Sequence, residues 1–182
     1  MIVVLPLGHI GFTWGALNVL QHAGYFKDAD YRGVALAALA SDLIDKPLAV
    51  FAFPGGKATL LFAHTALAQI LVWTAVWRKG RAWLPFGLAF SGHLVADRMW
   101  GFLQTLLWPW RGLRFHQWRD VGSLRAFGAA YVDIVRTEPK LIFFELVGFG
   151  LLAWLAIDRR LYHGERLRQF VGRECSAKPG DI

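Results

Sequence analysis

The stretch Ser91-Gly92-His93-Leu94-Val95-Ala96-Asp97-Arg98 decides how this chain is read. It lies inside an apolar run, from Trp83 to Trp108, with the length and composition of a membrane-spanning helix. His93 and Asp97 are four positions apart, so a helix sends both side chains out from one face. An ionisable group deep in an apolar helix costs about 2.5–3.5 kcal/mol to insert. His93, Asp97 and Arg98 together therefore imply metal ligation, mutual pairing or contact with water. An isolated H-x-x-x-D does not choose among these, and the rest of the chain has to.

Working outward, the composition fits the same picture. The 182 residues are 55% hydrophobic and 18% charged, with nine Trp and fourteen Phe. This is one domain's length, and it is more apolar than an ordinary globular chain. The apolar residues gather into runs near twenty long, which predicts an all-α integral membrane bundle with about five membrane segments, a multi-pass protein of the cell membrane. The net charge of +7 resides mainly in connecting segments and the tail, where membrane lipids with anionic headgroups are the expected partner. Nucleic acid is not expected, because no basic stripe with spaced aromatics lies outside the apolar runs. Cys175, the single cysteine, excludes an intrachain disulfide framework. The N-terminus has no basic n-region, so no removable signal peptide is expected.

In chain order, the first run covers residues 2–22 and carries Gly8-His9, with glycines that permit close helix packing. A second helix, from about Gly33 to Asp45, ends in Ser41-Asp42-Leu43-Ile44-Asp45-Lys46-Pro47. Asp42 and Asp45 share a face there, and Pro47 places them in the last turn. Carboxylates at a helix C-terminus oppose the macrodipole, so local electrostatics do not account for them. Pro54-Gly55-Gly56-Lys57 reads as a turn. Thr59 to Trp77 reads as a spanning helix with His64 near its start, and Trp108-Pro109-Trp110 closes the helix of His93 at the membrane interface. Residues 109–138 form an interfacial loop and an amphipathic helix. Leu141 to Ile157 is the last span, with Glu145 paired or near the interface. The membrane-embedded domain is thus residues 1–158, followed by a basic tail at 159–182.

If the helices cross alternately, starts of odd helices and ends of even ones meet on the same side. His9, Asp42, Asp45, His64, His93 and Asp97 then converge in one half of the bundle, and a divalent metal site becomes the leading reading. Imidazole with carboxylate suits zinc, or manganese and iron, better than magnesium. Asp42, Asp45 and Arg98 are the candidate catalytic groups. Lys46, Arg111 and Arg114 are available to hold an anionic headgroup.

At these residues the sequence resembles the YdjM-like family of membrane-bound metal-dependent hydrolases. The matching pieces are Gly8-His9, Ser41 to Pro47, Ala63-His64-Thr65, Gly92-His93-Leu94-Val95-Ala96-Asp97 and Leu107-Trp108-Pro109-Trp110, all within residues 5–112. The ligand order is also similar to that of zinc-dependent phospholipases C. The resemblance implies a helical zinc site hydrolysing a phosphoester of a lipid or other amphiphile. Two departures stand out. The family's Arg-Gly-x-Thr-His-Ser is Leu60-Leu61-Phe62-Ala63-His64-Thr65 here, and its Pro-Asp-x-Asp has become Ser41-Asp42-Leu43-Ile44-Asp45. The rival expectations are a divalent cation or proton transporter, and a non-catalytic membrane structural protein built on a His–Asp packing network.

Overall fold

In a computed structural model, residues 4–53, 56–119, 121 and 123–171 are described. Cys175 and much of the basic tail lie outside them, as do Pro54 and Gly55 of the expected turn. The described residues are helical, with no strand among them. The helices are α1 (Pro6–His22), α2 (Tyr31–Pro47), α3 (Ala66–Lys79), α4 (Leu84–Ala96), α5 (Leu103–Leu106), α6 (Leu124–Thr137), α7 (Pro139–Asp158) and α8 (Gly164–Val171).

Local chemistry sets most of these boundaries. Asp30, Thr65 and Ser123 each accept a hydrogen bond from a first-turn N–H and cap α2, α3 and α6. Prolines open α1, α4 and α7, where a missing N–H costs nothing. Gly80, at φ 87°, ends α3. Pro47 does not stop α2 as the sequence predicts. The chain instead widens into a π-helical turn over Leu48–Ala52, which accommodates the missing donor.

The expectation of about five membrane segments is overturned. The helices α1 to α4 are 17, 17, 14 and 13 residues long. At 1.5 Å per residue even the longest of them reaches only about 26 Å, short of a hydrocarbon core of about 30 Å. Among the described residues, only α7, with 20 residues, is long and apolar enough to cross a membrane. The long apolar runs exist, but the backbone breaks inside them. Trp83–Trp108 is interrupted at Arg98, which adopts a left-handed conformation at φ 53° and is followed by a 3-10 turn and the short α5. The run from Thr59 opens as extended chain and a 3-10 turn at Phe62–His64, and α3 starts only after Thr65.

The helices pack in the order α3, α4, α2, α1, α7. Glycines bring α1 and α7 together: a Cβ on Gly148 would lie 2.6 Å from Gly8 Cα. Leu17, Tyr31, Val34, Ala38, Ala89 and Leu155 form the main core. The segment read as a basic tail contributes to it, because Phe170 of α8 packs on Trp14 and Tyr31. Trp108, expected at a membrane interface, instead packs edge-on against Phe62 and stacks on Phe115.

Candidate metal centre

Every break in an apolar run falls beside a polar residue, and those residues meet. His64 sits in the turn before α3, His93 in the last turn of α4, Asp97 at its C-cap, and Asp42 in the last turns of α2. One ligand atom from each of these four lies within 4.8 Å of the other three. All four side chains are buried.

Two imidazoles define the centre. His93 Nδ1 lies 2.7 Å from the Ala38 carbonyl oxygen, which can only accept, so the proton of that contact belongs to the ring. His64 Nδ1 lies 2.7 Å from Asp45 Oδ2 and donates in the same way. In a neutral ring the other nitrogen then carries a lone pair. The two Nε2 atoms are 3.2 Å apart, so two lone pairs face one point. Asp42 Oδ1 is 3.7 Å from each Nε2. Asp97 Oδ2 is 3.4 Å from His93 Nε2 and 3.7 Å from His64 Nε2. Neither carboxylate oxygen has a hydrogen-bond partner.

The supports behind these atoms are local. Asp45 accepts the N–H groups of Leu61 at 2.7 Å and Ala63 at 3.0 Å besides the His64 ring, so both its oxygens are engaged away from the centre. It orients His64 and takes no place among the four, unlike the ligand or base role expected for it. The break before α3 thus has a cause: Asp45 binds the N–H groups of Leu61, ahead of the 3-10 turn, and Ala63, within it. Phe62 packs on Trp108 and Phe115 and braces the same turn. Lys46 is ion-paired with Asp42 Oδ2 and lies 5.2 Å over the Tyr131 ring. Asp97 Oδ1 accepts the N–H of Val4 at 3.0 Å.

His9 stacks on His93 with ring centroids 3.9 Å apart, and its Nε2 is 3.3 Å from Asp97 Oδ1. It therefore lines the centre from the α1 side, outside the group of four. Glu145 of α7 holds α1 in place, accepting the N–H groups of Leu5 at 2.7 Å and Gly8 at 3.0 Å where the helix has no capping side chain of its own.

Titration follows from these contacts. Burial opposes a charge on His64, but the hydrogen bond to Asp45 and the nearby carboxylates of Asp97 and Asp42 outweigh it and raise its pKa to about 9. Burial, then the imidazole of His9, lowers His93 to about 4. Burial pushes Asp97 upward, yet His64 and His9 hold its pKa far below the usual carboxylate range. Without a metal, the imidazole pair shares one proton, carried by His64. Lys46 loses some basicity to burial and regains more from Asp42 and Tyr131, so it stays charged.

The expected catalytic and headgroup-binding cations are placed differently. Arg98 is exposed, has a left-handed backbone, and makes no ion pair with the buried Asp97 beside it. Arg111 and Arg114 are exposed in the segment after α5 and make no ion pair among the described residues. Sequence reasoning missed Ala38, Val4 and Tyr131. The first was findable, since residues 38, 42 and 45 share one helical face. The other two act across the fold, and no local pattern marks them. No family model, curated protein or solved structure matches the chain.

Proposed function

We propose that Asp42, His64, His93 and Asp97 hold a divalent metal ion, zinc first, and that the protein is a metal-dependent hydrolase. The observation that carries the reading is the pair of Nε2 lone pairs, fixed by Ala38 and Asp45 to face one point 3.2 Å apart. Without a cation or proton between them that arrangement is repulsive. Geometry supports zinc: Zn–N and Zn–O bonds near 2.1 Å give a tetrahedron with edges of about 3.4 Å, and five of the edges here measure 3.2–3.7 Å. Charge supports a divalent ion. Three buried carboxylates, Asp42, Asp45 and Asp97, face one half-buried ammonium, Lys46, which leaves a deficit of two charges once both imidazoles are neutral. Manganese and iron accept the same donors with more positions to spare.

Such an ion would lower the pKa of a bound water toward 7 and polarise a phosphoryl oxygen. Substrate would approach along an apolar groove that contains Asp42 and Lys46 and is walled by Leu39, Leu43, Phe51, Leu124 and Phe127. One half-buried ammonium in an apolar groove suits an amphiphile with an anionic phosphoester, the substrate implied by the YdjM-like resemblance. Lys46 would hold the headgroup, and His9 and Asp45 would keep the ligands oriented. The exposed face of α7, with Ile142, Phe143, Leu146 and Phe149, would attach the protein to a lipid surface.

The test is metal analysis of purified protein, followed by chelator-sensitive hydrolysis of phospholipids and isoprenoid phosphates. One equivalent of transition metal is expected, lost in His93→Ala and Asp97→Ala while helicity persists. A metal-free wild type would sink the reading. It would leave the second one, a proton-bridged packing network, which the high pKa of His64 favours.

A further inference from the structure

Arg98 is left without a role at the metal centre, and its backbone is held at φ 53°, ψ 47°. A non-glycine residue in that conformation stores strain and is more frequent where a side chain has work to do. The strain aims Arg98 into a cleft between the α4–α5 connection and the start of α7. Trp100, His116, Trp118 and Lys140 share its walls, and Glu138 adds one carboxylate. The Arg98 guanidinium lies 5.9 Å over the Trp100 ring, one of the two indoles of the cleft. Among the described residues neither Arg98 nor Lys140 is ion-paired, so both cations remain available. Neither Asp97 nor the buried Met99 that follows Arg98 is among the residues lining the cleft.

We propose that this cleft is a second ligand site, which binds a phosphoryl group between Arg98 and Lys140 against the two indoles. Arg98 supplies a planar fork of donors matched to phosphate oxygens, and Lys140 supplies a point charge. His116 offers a further donor, and the tryptophans flank the group carrying the phosphate. The ligand is either a phospholipid headgroup, met at the end of the apolar α7, or free phosphate. This site does not depend on the metal reading, because none of its residues is among the four metal-directed side chains.

The experiment uses the full chain as purified. Inorganic phosphate is titrated by calorimetry, and co-sedimentation compares phosphatidylcholine vesicles with and without phosphatidic acid. Saturable phosphate binding, or a preference for the phosphatidic acid vesicles, is expected. Either should fall about tenfold or more in Lys140→Gln and in Arg98→Gly. Arg98→Gly should also melt no lower than wild type, since glycine adopts this backbone without strain. Vesicle preference alone identifies a headgroup, and phosphate binding alone identifies the free ion. No saturable binding of either probe, or wild-type binding in both variants, overturns the proposal.

Discussion

A neutral imidazole has one lone pair to give, and what its other nitrogen touches decides where that pair points. In this protein a carbonyl of α2 and a carboxylate of α2 make the decision for His93 and His64. The orienting partner is therefore as important as the ligand. Asp45→Asn keeps the shape but can present an N–H to His64 Nδ1, and metal affinity should drop about 10–100-fold. Competition with a chromophoric chelator measures it; unchanged affinity would place Asp45 outside the metal's support. The same residues fix a pH dependence. The proton on His64, held up to about pH 9, must leave when the metal binds, while His93 carries none above about pH 4. Apparent affinity should thus rise with pH, by about tenfold per unit across that window. A flat profile from pH 6 to 8 would mean that no proton is displaced.

Among the elements, α1 is the one held from outside. Its first turn is capped by Glu145 of α7, and its glycines press against Gly148. Glu145→Ala should lower stability by about 1–2 kcal/mol, and Glu145→Gln by less, since the amide oxygen still accepts. Gly148→Ala drives a methyl into the backbone of α1 and should cost about 1–3 kcal/mol. Thermal melts of the three variants check both contacts, and a neutral Gly148→Ala would refute the close approach. At this scale the sequence is half legible. The spacing of His93 and Asp97, and of Asp42 and Asp45, displays shared faces because helical periodicity reaches into the sequence. The breaks at Arg98 and before Thr65 do not show, because Leu60, Leu61, Met99 and Phe102 are as apolar as any helix interior. Hydropathy records where side chains avoid water. It does not record that Asp45 takes the N–H groups of Leu61 and Ala63 out of a helix.

For the whole molecule, that blindness explains why five apolar runs do not become five spans. The runs of α2, α3 and α4 each carry a metal-directed residue, and the backbone turns out of the α-helix beside it, which leaves those helices short; α7, which carries none, runs unbroken for 20 residues. The convergence of the polar residues survives, because it depends on helices alternating in direction and not on their crossing a bilayer. What α7 does with its exposed apolar face is open to measurement. Phe143 and Leu146 are 61% and 64% exposed, so replacing both by Ser should leave the fold intact. Vesicle partitioning should nevertheless weaken by about tenfold or more, at roughly 1.5–3 kcal/mol per buried side chain. Equal partitioning of variant and wild type would remove α7 from lipid contact.

The N–H of Val4 on Asp97 Oδ1 has a practical side. The backbone just ahead of α1 is itself part of the wall around the metal-directed carboxylate. A change of backbone chemistry there should therefore be read at the metal: Val4→Pro, which removes the donor, should carry less metal than the wild type, while Val4→Ala, which keeps it, should carry as much.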